Sequence, residues 1–295
     1  MHVMKLSRLS NIPRIIQHFF LSGDSRHHRK QFSNLTRVLK PFKMNNLITY
    51  RSYIIYLFSY VSRSLSTDNK ARILTHHYLF LKDNLGERYL RKLFSDGIEC
   101  FKECSDEDEY TVVLSSSSML EFEGSLSLYF MVNRVKIYTL SFTIAPGNIF
   151  NCKGDSIIFI SCLQRDSKQI DNNIKATKYF KDILPSVILM RVMEAMATSL
   201  NIQTCIGISA RNQLSLSDEA EYVRFYNIYD EFWLNNGATL VDGNYTFSIP
   251  LPQKYIQAIQ QKHRNRTIKK RAKLDEIYNE SYNTINSLTP SFVVN

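Results

Sequence analysis

Polar and cationic side chains follow two apolar runs of this sequence, FISCL and TCIGI, at the points where we expect each run to end as a β-strand. The side chains are Gln164 and Arg165 after the first run, Lys175 and Lys178 on the predicted helix between the runs, and Ser209, Arg211 and Asn212 after the second. Because the ends of adjacent strands in an open α/β sheet face one crevice, these residues predict a ligand-binding site. Cations there would suit a phosphate or a carboxylate. The alternative is a rim of ordinary polar loop residues.

The only tryptophan of the chain, Trp233, lies in the segment YDEFWLNNGATL. Aromatic residues precede it at the spacing of one helix face: Tyr222, Phe225, Tyr226 and Tyr229. The pattern predicts that this face packs on the core with Trp233 as an anchor, while Asp230 and Glu231 point away. A phenol at the edge of the crevice could supply a proton, so Tyr229 is the candidate catalytic residue, as a general acid.

The net charge of +10 is concentrated at the two ends of the chain. Residues 1–51 carry +9 and residues 254–274 carry +8, which leaves −7 for the rest. Basic segments attract polyanions, so the sequence predicts contact with an anionic membrane surface or an acidic protein partner. The candidate contact residues are Arg264, Arg266, Lys269, Lys270 and Arg271. No nucleic-acid-binding motif accompanies them, so nonspecific nucleic-acid binding ranks last. A solvated helix without a partner is the plainer alternative.

The sequence lacks the common signatures of metal sites and hydrolases. It contains no G-x-S-x-G, P-loop or H-E-x-x-H motif. Cys100 and Cys104 lie one helical turn apart, but no second pair completes a zinc signature, and the pair His76-His77 has no third ligand at a usable spacing. Five cysteines without a framework spacing fit a reducing compartment. We therefore expect no metal site.

The apolar segments of the chain are short. The longest, residues 53–61, falls well below the ~20 residues that span a bilayer. Residues 1–23 are basic and partly apolar, but Pro13 and Arg14 interrupt the apolar part and no cleavage site of small residues follows. We therefore expect no transmembrane segment. We also expect a cytoplasmic location, which allows attachment to the periphery of the inner membrane.

The hydrophobic pattern divides the chain into three parts: a mainly helical region at 1–107, an α/β core at 108–253, and a basic helix with a frayed tail at 254–295. Within the core, Asn133-Arg134 separates two alternating segments, which predicts an antiparallel hairpin. A central strand, helices and a further strand follow. We therefore predict an α+β fold with N-terminal helices and a mixed, partly antiparallel sheet covered by helices, including a strand-helix-strand unit. GCN5-related acyltransferases share this order.

Several segments, in this order, resemble the VirK/YbjX family: HHYLFL, LEFEGSLSLYFMV, FISCLQ, IKATKYFKDILPSVILMRVMEAMA, YDEFW, IPLPQKYIQ and KKRAKLDEIY. They span roughly residues 70–280. The resemblance implies a bacterial virulence accessory protein that acts in the expression of surface virulence factors or in cell-envelope integrity, including resistance to cationic antimicrobial peptides. It implies a biological setting and no reaction.

Three functions follow. The first is such a VirK-like protein, acting by binding. The second is a GCN5-like acyltransferase with acyl-CoA as cofactor, and the third is the nucleic-acid binding described above. The loop QRDSKQIDNN counts against an acyl-CoA site, because it has no glycine to let backbone N–H groups approach a phosphate closely. By the resemblance, Ser161 and Arg165 stand where the family has glycines. Whether the chain is an enzyme stays open.

Overall fold

The structure is a computed structural model, which describes residues 25–40, 53–54, 57–117, 122–253 and 255–288. The described strands are β1 (Ile98–Cys104), β2 (Glu109–Ser116), β3 (Leu126–Val132), β4 (Val135–Pro146), β5 (Ser156–Arg165), β6 (Thr204–Gly207), β7 (Thr239–Val241) and β8 (Asn244–Ser248). The described helices are α1 (Ser25–Leu39), α2 (Thr67–Asn84), α3 (Glu87–Leu93), α4 (Ile170–Tyr179), α5 (Pro185–Ser199), α6 (Glu219–Ile228), α7 (Asp230–Asn235) and α8 (Gln261–Asn286).

The described strands form one mixed sheet in the order β1-β2-β3-β4-β5-β6-β8-β7. Strands β1 to β5 make an antiparallel meander, β5 and β6 are parallel, and β6, β8 and β7 are again antiparallel. The parallel pair requires a crossover, which α4 and α5 supply. The predicted fold class, with its strand-helix-strand unit, is confirmed.

The central strands β4 and β5 are covered on both faces. Burial is continuous at 140–145 and at 157–163, so side chains of both orientations are shielded from solvent. Helix α2 packs on β4, and α5 packs on β3, β4 and β5. None of the helices in the described ranges is both long enough and apolar enough to cross a bilayer.

Local sequence explains several elements. The hairpin between β3 and β4 turns at Asn133 and Arg134, which both have left-handed backbone angles (φ 50° and 64°), as a two-residue turn between twisted strands requires. Pro185 occupies the first turn of α5, where its missing N–H leaves no bond unmade. Gly237, with φ 82°, follows α7 and ends it.

Two expectations need correction. The sequence places Ile98–Cys104 in the helical region, whereas these residues form the edge strand β1, because β2 and α8 supply partners that local pattern does not reveal. The aromatic segment is two helices, α6 and α7, which meet at Tyr229. Most of the basic segment 1–51 and the frayed tail at 289–295 lie outside the described residues.

Candidate functional site

The ends of β5 and β6 do not form one crevice. The register between the two strands ends at Ile160 and Gly207, and β5 continues five residues further, to Arg165. At the rise of an extended strand, this places Arg165 about 16 Å beyond the last paired residue. The residues predicted at the two strand ends are therefore held apart along the strand direction.

A β-bulge lies where β5 separates from β6. The register between β4 and β5 skips Ser161, and its hydroxyl donates to the backbone carbonyls of Ser141 and Glu123. The fully buried Gln213 donates its side-chain N–H to the carbonyl of Ser161, at 2.6 Å. A side chain of the loop after β6 thus takes the place of a strand partner at the bulge.

Tyr229 fills the rest of this gap. Only 2% of its surface is exposed, its hydroxyl lies 4.0 Å from Cys162 Sγ, and the backbone N–H of Leu163 donates to it. Burial raises the pKa of the Tyr229 phenol well above its usual value, and the neighbouring thiol adds to the effect. The structure therefore places this predicted general acid within the core, where it completes the packing between β5 and β6.

The loop after β6 holds its predicted residues in place through protein contacts. Ser209 donates its backbone N–H to Asn244 Oδ1, and Asn212 donates to the same oxygen at 3.2 Å. Arg211 pairs with Glu219 at 3.2 Å and stacks over the ring of Tyr222. These contacts tie the loop to the start of β8 and to α6.

Asp230 corrects a further expectation, because its carboxylate points inward. It is 5% exposed, and it accepts hydrogen bonds from the backbone N–H of Ala210 (2.7 Å) and from the hydroxyl of Tyr245 (3.0 Å). Burial raises its pKa, while both bonds work in the opposite direction. Beside it, the buried Trp233 donates its indole N–H to the carbonyl of Ile208 at 2.8 Å, so its role as a core anchor is confirmed.

The predicted lysines of α4 lie elsewhere again. Lys175 pairs with Asp108 at 2.6 Å and with Glu107 at 3.5 Å, in the turn between β1 and β2. Lys178 is exposed near the end of α4, while Gln164 is half-buried and Arg165 exposed at the end of β5. The predicted cluster is thus distributed over three separate neighbourhoods.

A different set of cations does converge. The N-terminal half of α8 and the turn between α4 and α5 enclose a groove of about 390 Å³, lined by Lys181, Asp182, Lys262, Asn265, Arg266, Lys269 and Lys270. Lys181 and Asp182 both have left-handed backbone angles (φ 53° and 62°), which brings the turn against the helix. Five of the seven lining residues carry positive charge, so the groove is suited to an anion.

Asp182 lies in the groove and binds two of its cations. Arg266 forms an ion pair with its carboxylate, and Lys270 donates to its backbone carbonyl at 2.7 Å. Burial lowers the pKa of Lys270, and the neighbouring positive charge of Arg266 lowers it further, while Asp182 opposes both effects. Burial is thus the main reason that the pKa of Lys270 is lowered, and the charge of Arg266 adds to it.

Comparison with known proteins assigns the chain to a family. The model of the family described as "Protein of unknown function (DUF535)" matches residues 17–283. The chain belongs to this family. No curated protein and no solved structure matches it.

Three of the five predicted contact residues of this DUF535 chain line the groove: Arg266, Lys269 and Lys270. Arg264 instead donates to the carbonyls of the preceding turn, at Ile259 and Gln257, and Arg271 is not part of the lining. Sequence reasoning missed Lys181 and Lys262. Lys262 belongs to the same basic run and could have been predicted from composition. Lys181 comes from a turn about 80 residues earlier, and only the fold brings it to α8.

The other half of α8 attaches this DUF535 chain's basic helix to the core. Ile277, Ser281 and Ile285 are buried, and the helix packs on α5 and β1. In the N-terminal half, by contrast, every residue from 261 to 273 is exposed or half-buried. The helix therefore consists of an anchored half and a cationic half that faces solvent.

Proposed function

We propose that this DUF535 protein acts by binding, and that its basic groove binds the phosphate groups of an anionic membrane surface. The observation that carries the proposal is the convergence of five cations from α8 and from the α4–α5 turn on one groove of about 390 Å³. A lone basic run is usually a solvated face, but here a second element contributes to the same concavity. Phosphate oxygens accept hydrogen bonds from lysine and arginine with charge assistance.

The position of these cations on α8 supports a binding role. Seven lysines and arginines lie between Lys262 and Lys273, in the half of the helix nearest its N-terminus, and the first acid on the helix is Asp275. The first turn of a helix carries a partial positive charge, so Lys262 and Arg264 there destabilise the helix and acids would stabilise it. The arrangement costs stability, and an anionic ligand would offset that cost.

Exposed apolar side chains near the cations favour a membrane over an acidic protein. Ile268 lies between Arg266 and Lys269 on α8 and is 50% exposed, and Tyr255, shortly before the helix, is 82% exposed. A basic helix flanked by an aromatic and an aliphatic side chain is typical of segments that lie in a membrane interface.

The resemblance to the VirK/YbjX family supplies the setting for this proposal. In that setting the protein is a bacterial virulence accessory factor that supports expression of surface virulence factors or integrity of the envelope, including resistance to cationic antimicrobial peptides. It would lie in the cytoplasm at the periphery of the inner membrane. Binding to anionic lipid would place it where envelope components are made and exported.

Vesicle flotation tests the proposal. We expect the full chain to float with phosphatidylglycerol vesicles at about 0.1 M salt, to be released near 1 M, and not to float with phosphatidylcholine vesicles. The variant Lys262→Ala/Lys269→Ala removes two groove cations, and at roughly 1 kcal/mol for each cation near an anionic surface it should bind about thirty-fold more weakly. The control Lys92→Ala/Lys168→Ala removes two exposed lysines outside both basic segments, has the same net charge as the groove variant, and should bind like the unaltered chain.

Three results would overturn the membrane assignment. The first is a failure to float with anionic vesicles at any salt concentration. The second is stabilisation by free pyrophosphate without flotation, which would identify a soluble phosphate ligand. The third is binding to polyglutamate without flotation, which would identify an acidic protein partner.

The bulge at Ser161 favours a second candidate function, acyl transfer from acyl-CoA. Bulges often lie beside active sites, and ligands of α/β sheets bind where parallel strands separate. In this structure Gln213 and Tyr229 occupy that gap, so a cofactor could enter only if they moved. Acyl-CoA at a millimolar concentration should then raise the melting temperature. If acyl-CoAs of every acyl-chain length leave the melting temperature unchanged, this candidate function is excluded.

A further inference from the structure

A second concavity lies at the end of the sheet where the central strands β5 and β6 begin. Its volume is about 690 Å³, within the range of small-molecule sites. The C-terminal end of α2, the loop before β5 and the link between α5 and β6 form its walls. The side chains that matter for recognition are Phe80, Asn84, Ser156, Ser199, Asn201 and Gln203.

The lining of this cavity differs in chemistry from the basic groove. Amides and hydroxyls dominate it, and each of these groups can donate and accept hydrogen bonds. Lys153 and Asp155 contribute one charge of each sign, so the formal charge of the lining is zero. Phe80 and Leu200 add apolar surface. Such a set suits a neutral ligand with many hydroxyl groups and an apolar face.

Two of the polar groups are held in place by the protein. The hydroxyl of Ser156 lies 2.9 Å from His76 Nε2, and Asn84 donates its amide N–H to the carbonyl of Phe80 at 2.9 Å. The second bond leaves the amide oxygen of Asn84 for another donor. Burial lowers the pKa of His76, while the carboxylate of Asp155 opposes this effect, so the imidazole is neutral at pH 7. The wall is therefore prearranged and adds no charge.

Ser199 provides an independent indication of a ligand. Its hydroxyl is buried and has no hydrogen-bond partner among the described residues. Buried hydroxyls are nearly always paired, because leaving one unpaired lowers the stability of the fold. Ser199 lines the cavity, and rotation about its Cα–Cβ bond would turn the hydroxyl toward a hydroxyl of a bound molecule.

We infer that this cavity is a binding site for a neutral saccharide. The amides and hydroxyls of the wall bind the sugar hydroxyls, and the ring of Phe80 packs against the apolar face of a sugar ring. The site is separate from the basic groove, since the two share no lining residue. Binding at one of the two sites can therefore be lost while binding at the other is kept.

Saturation-transfer NMR of the full chain with a panel of neutral disaccharides (maltose, cellobiose, lactose and trehalose) tests the inference. At least one of them should bind with a Kd of about 1 mM or below. Asn201 has a left-handed backbone angle (φ 55°), so Asn201→Gly removes the amide while keeping a residue that adopts this angle readily. This variant should weaken binding at least ten-fold, and Ser199→Ala should weaken it measurably.

Asn151→Gly is the matched control. Asn151 also has a left-handed angle (φ 53°), is exposed, and lies outside the cavity. It should leave saccharide binding unchanged. If no disaccharide of the panel binds at about 10 mM, the inference is wrong. It is equally wrong if Asn201→Gly and Ser199→Ala, both folded by circular dichroism, bind as tightly as the unaltered chain, or if the control loses binding to the same extent.

Discussion

Arg191 of α5 joins the basic helix to the core, and its removal should be costly. Its guanidinium donates to Glu194 at 2.6 Å, to Asp275 at 2.5 Å and to the backbone carbonyl of Leu274 at 3.2 Å. It also lies over the ring of Tyr278, 4.5 Å from the centroid. Three of these four partners belong to α8. A single side chain thus connects the two helices and neutralises a buried carboxylate.

The size of the effect follows from burial. The side chain of Glu194 is 1% exposed and that of Arg191 14% exposed, so this is a buried ion pair. Removal of one member of such a pair leaves an uncompensated charge and costs about 3–5 kcal/mol. We therefore expect Arg191→Ala to lower the free energy of unfolding by that amount, measured by urea denaturation at pH 7. Anionic vesicle binding should weaken as well, because α8 loses a side chain that ties it to α5.

Two companion variants make the reasoning testable. Arg91→Ala breaks a pair with Glu87 in which both side chains are at least 75% exposed, and it should cost at most about 0.5 kcal/mol. Glu194→Gln, combined with Arg191→Ala, removes the unpaired charge while keeping an acceptor for the backbone N–H of Leu251, so the double variant should be more stable than Arg191→Ala alone. A cost of Arg191→Ala below about 1 kcal/mol, or no recovery in the double variant, would refute this account.

Further predictions concern the core. Gly207→Ala should lower the free energy of unfolding by about 1–3 kcal/mol, because the new Cβ would lie 2.4 Å from the indole of Trp233, and a melting temperature equal to that of the unaltered chain would contradict this. His77 is fully buried, and its Nδ1 accepts a hydrogen bond from the backbone N–H of Ile144. Burial lowers its pKa to about 3. Below pH 6.5 the unfolded chain therefore takes up a proton at His77 that the folded protein does not. The free energy of unfolding should therefore decrease as the pH is lowered from 6.5 to 3, by at most about 1.4 kcal/mol per pH unit from this group. His77→Asn should reduce that slope in urea titrations. Trp233 is fully buried, so acrylamide should quench its fluorescence weakly until the chain unfolds; strong quenching under native conditions would contradict the packing described.

Much of the fold follows from local sequence. The turn at Asn133-Arg134 lies between two alternating segments, and the apolar run of β5 has no helical period, so both were predictable from residues close together in the chain. The short edge strands were not. Every residue of β7, Thr239–Val241, is exposed, and its pairing with β8 leaves no hydrophobic alternation to detect. β1 likewise depends on packing by α8, which lies some 160 residues later.

The candidate site was less predictable than the fold, because it depends on tertiary contacts. The early end of the register between β5 and β6, at Ile160 and Gly207, separates the predicted strand-end residues. The inward turn of Asp230 depends on partners in β8 and in the loop after β6. The basic run of α8 is visible in the sequence, whereas its convergence with Lys181 arises from the turn between α4 and α5. Composition indicated an anionic partner, and only geometry located the groove.

The sheet order also has a consequence for synthesis of the chain. Every pairing within the meander is complete once residue 165 has been made, but β6, which covers the far edge of β5, ends at residue 207. At about 5–20 residues per second, the ribosome needs roughly 2–8 s to make the intervening segment. During that interval an apolar strand with an open edge is exposed in the nascent protein. Chaperone contact with the growing chain should therefore be concentrated between the emergence of β5 and that of β6.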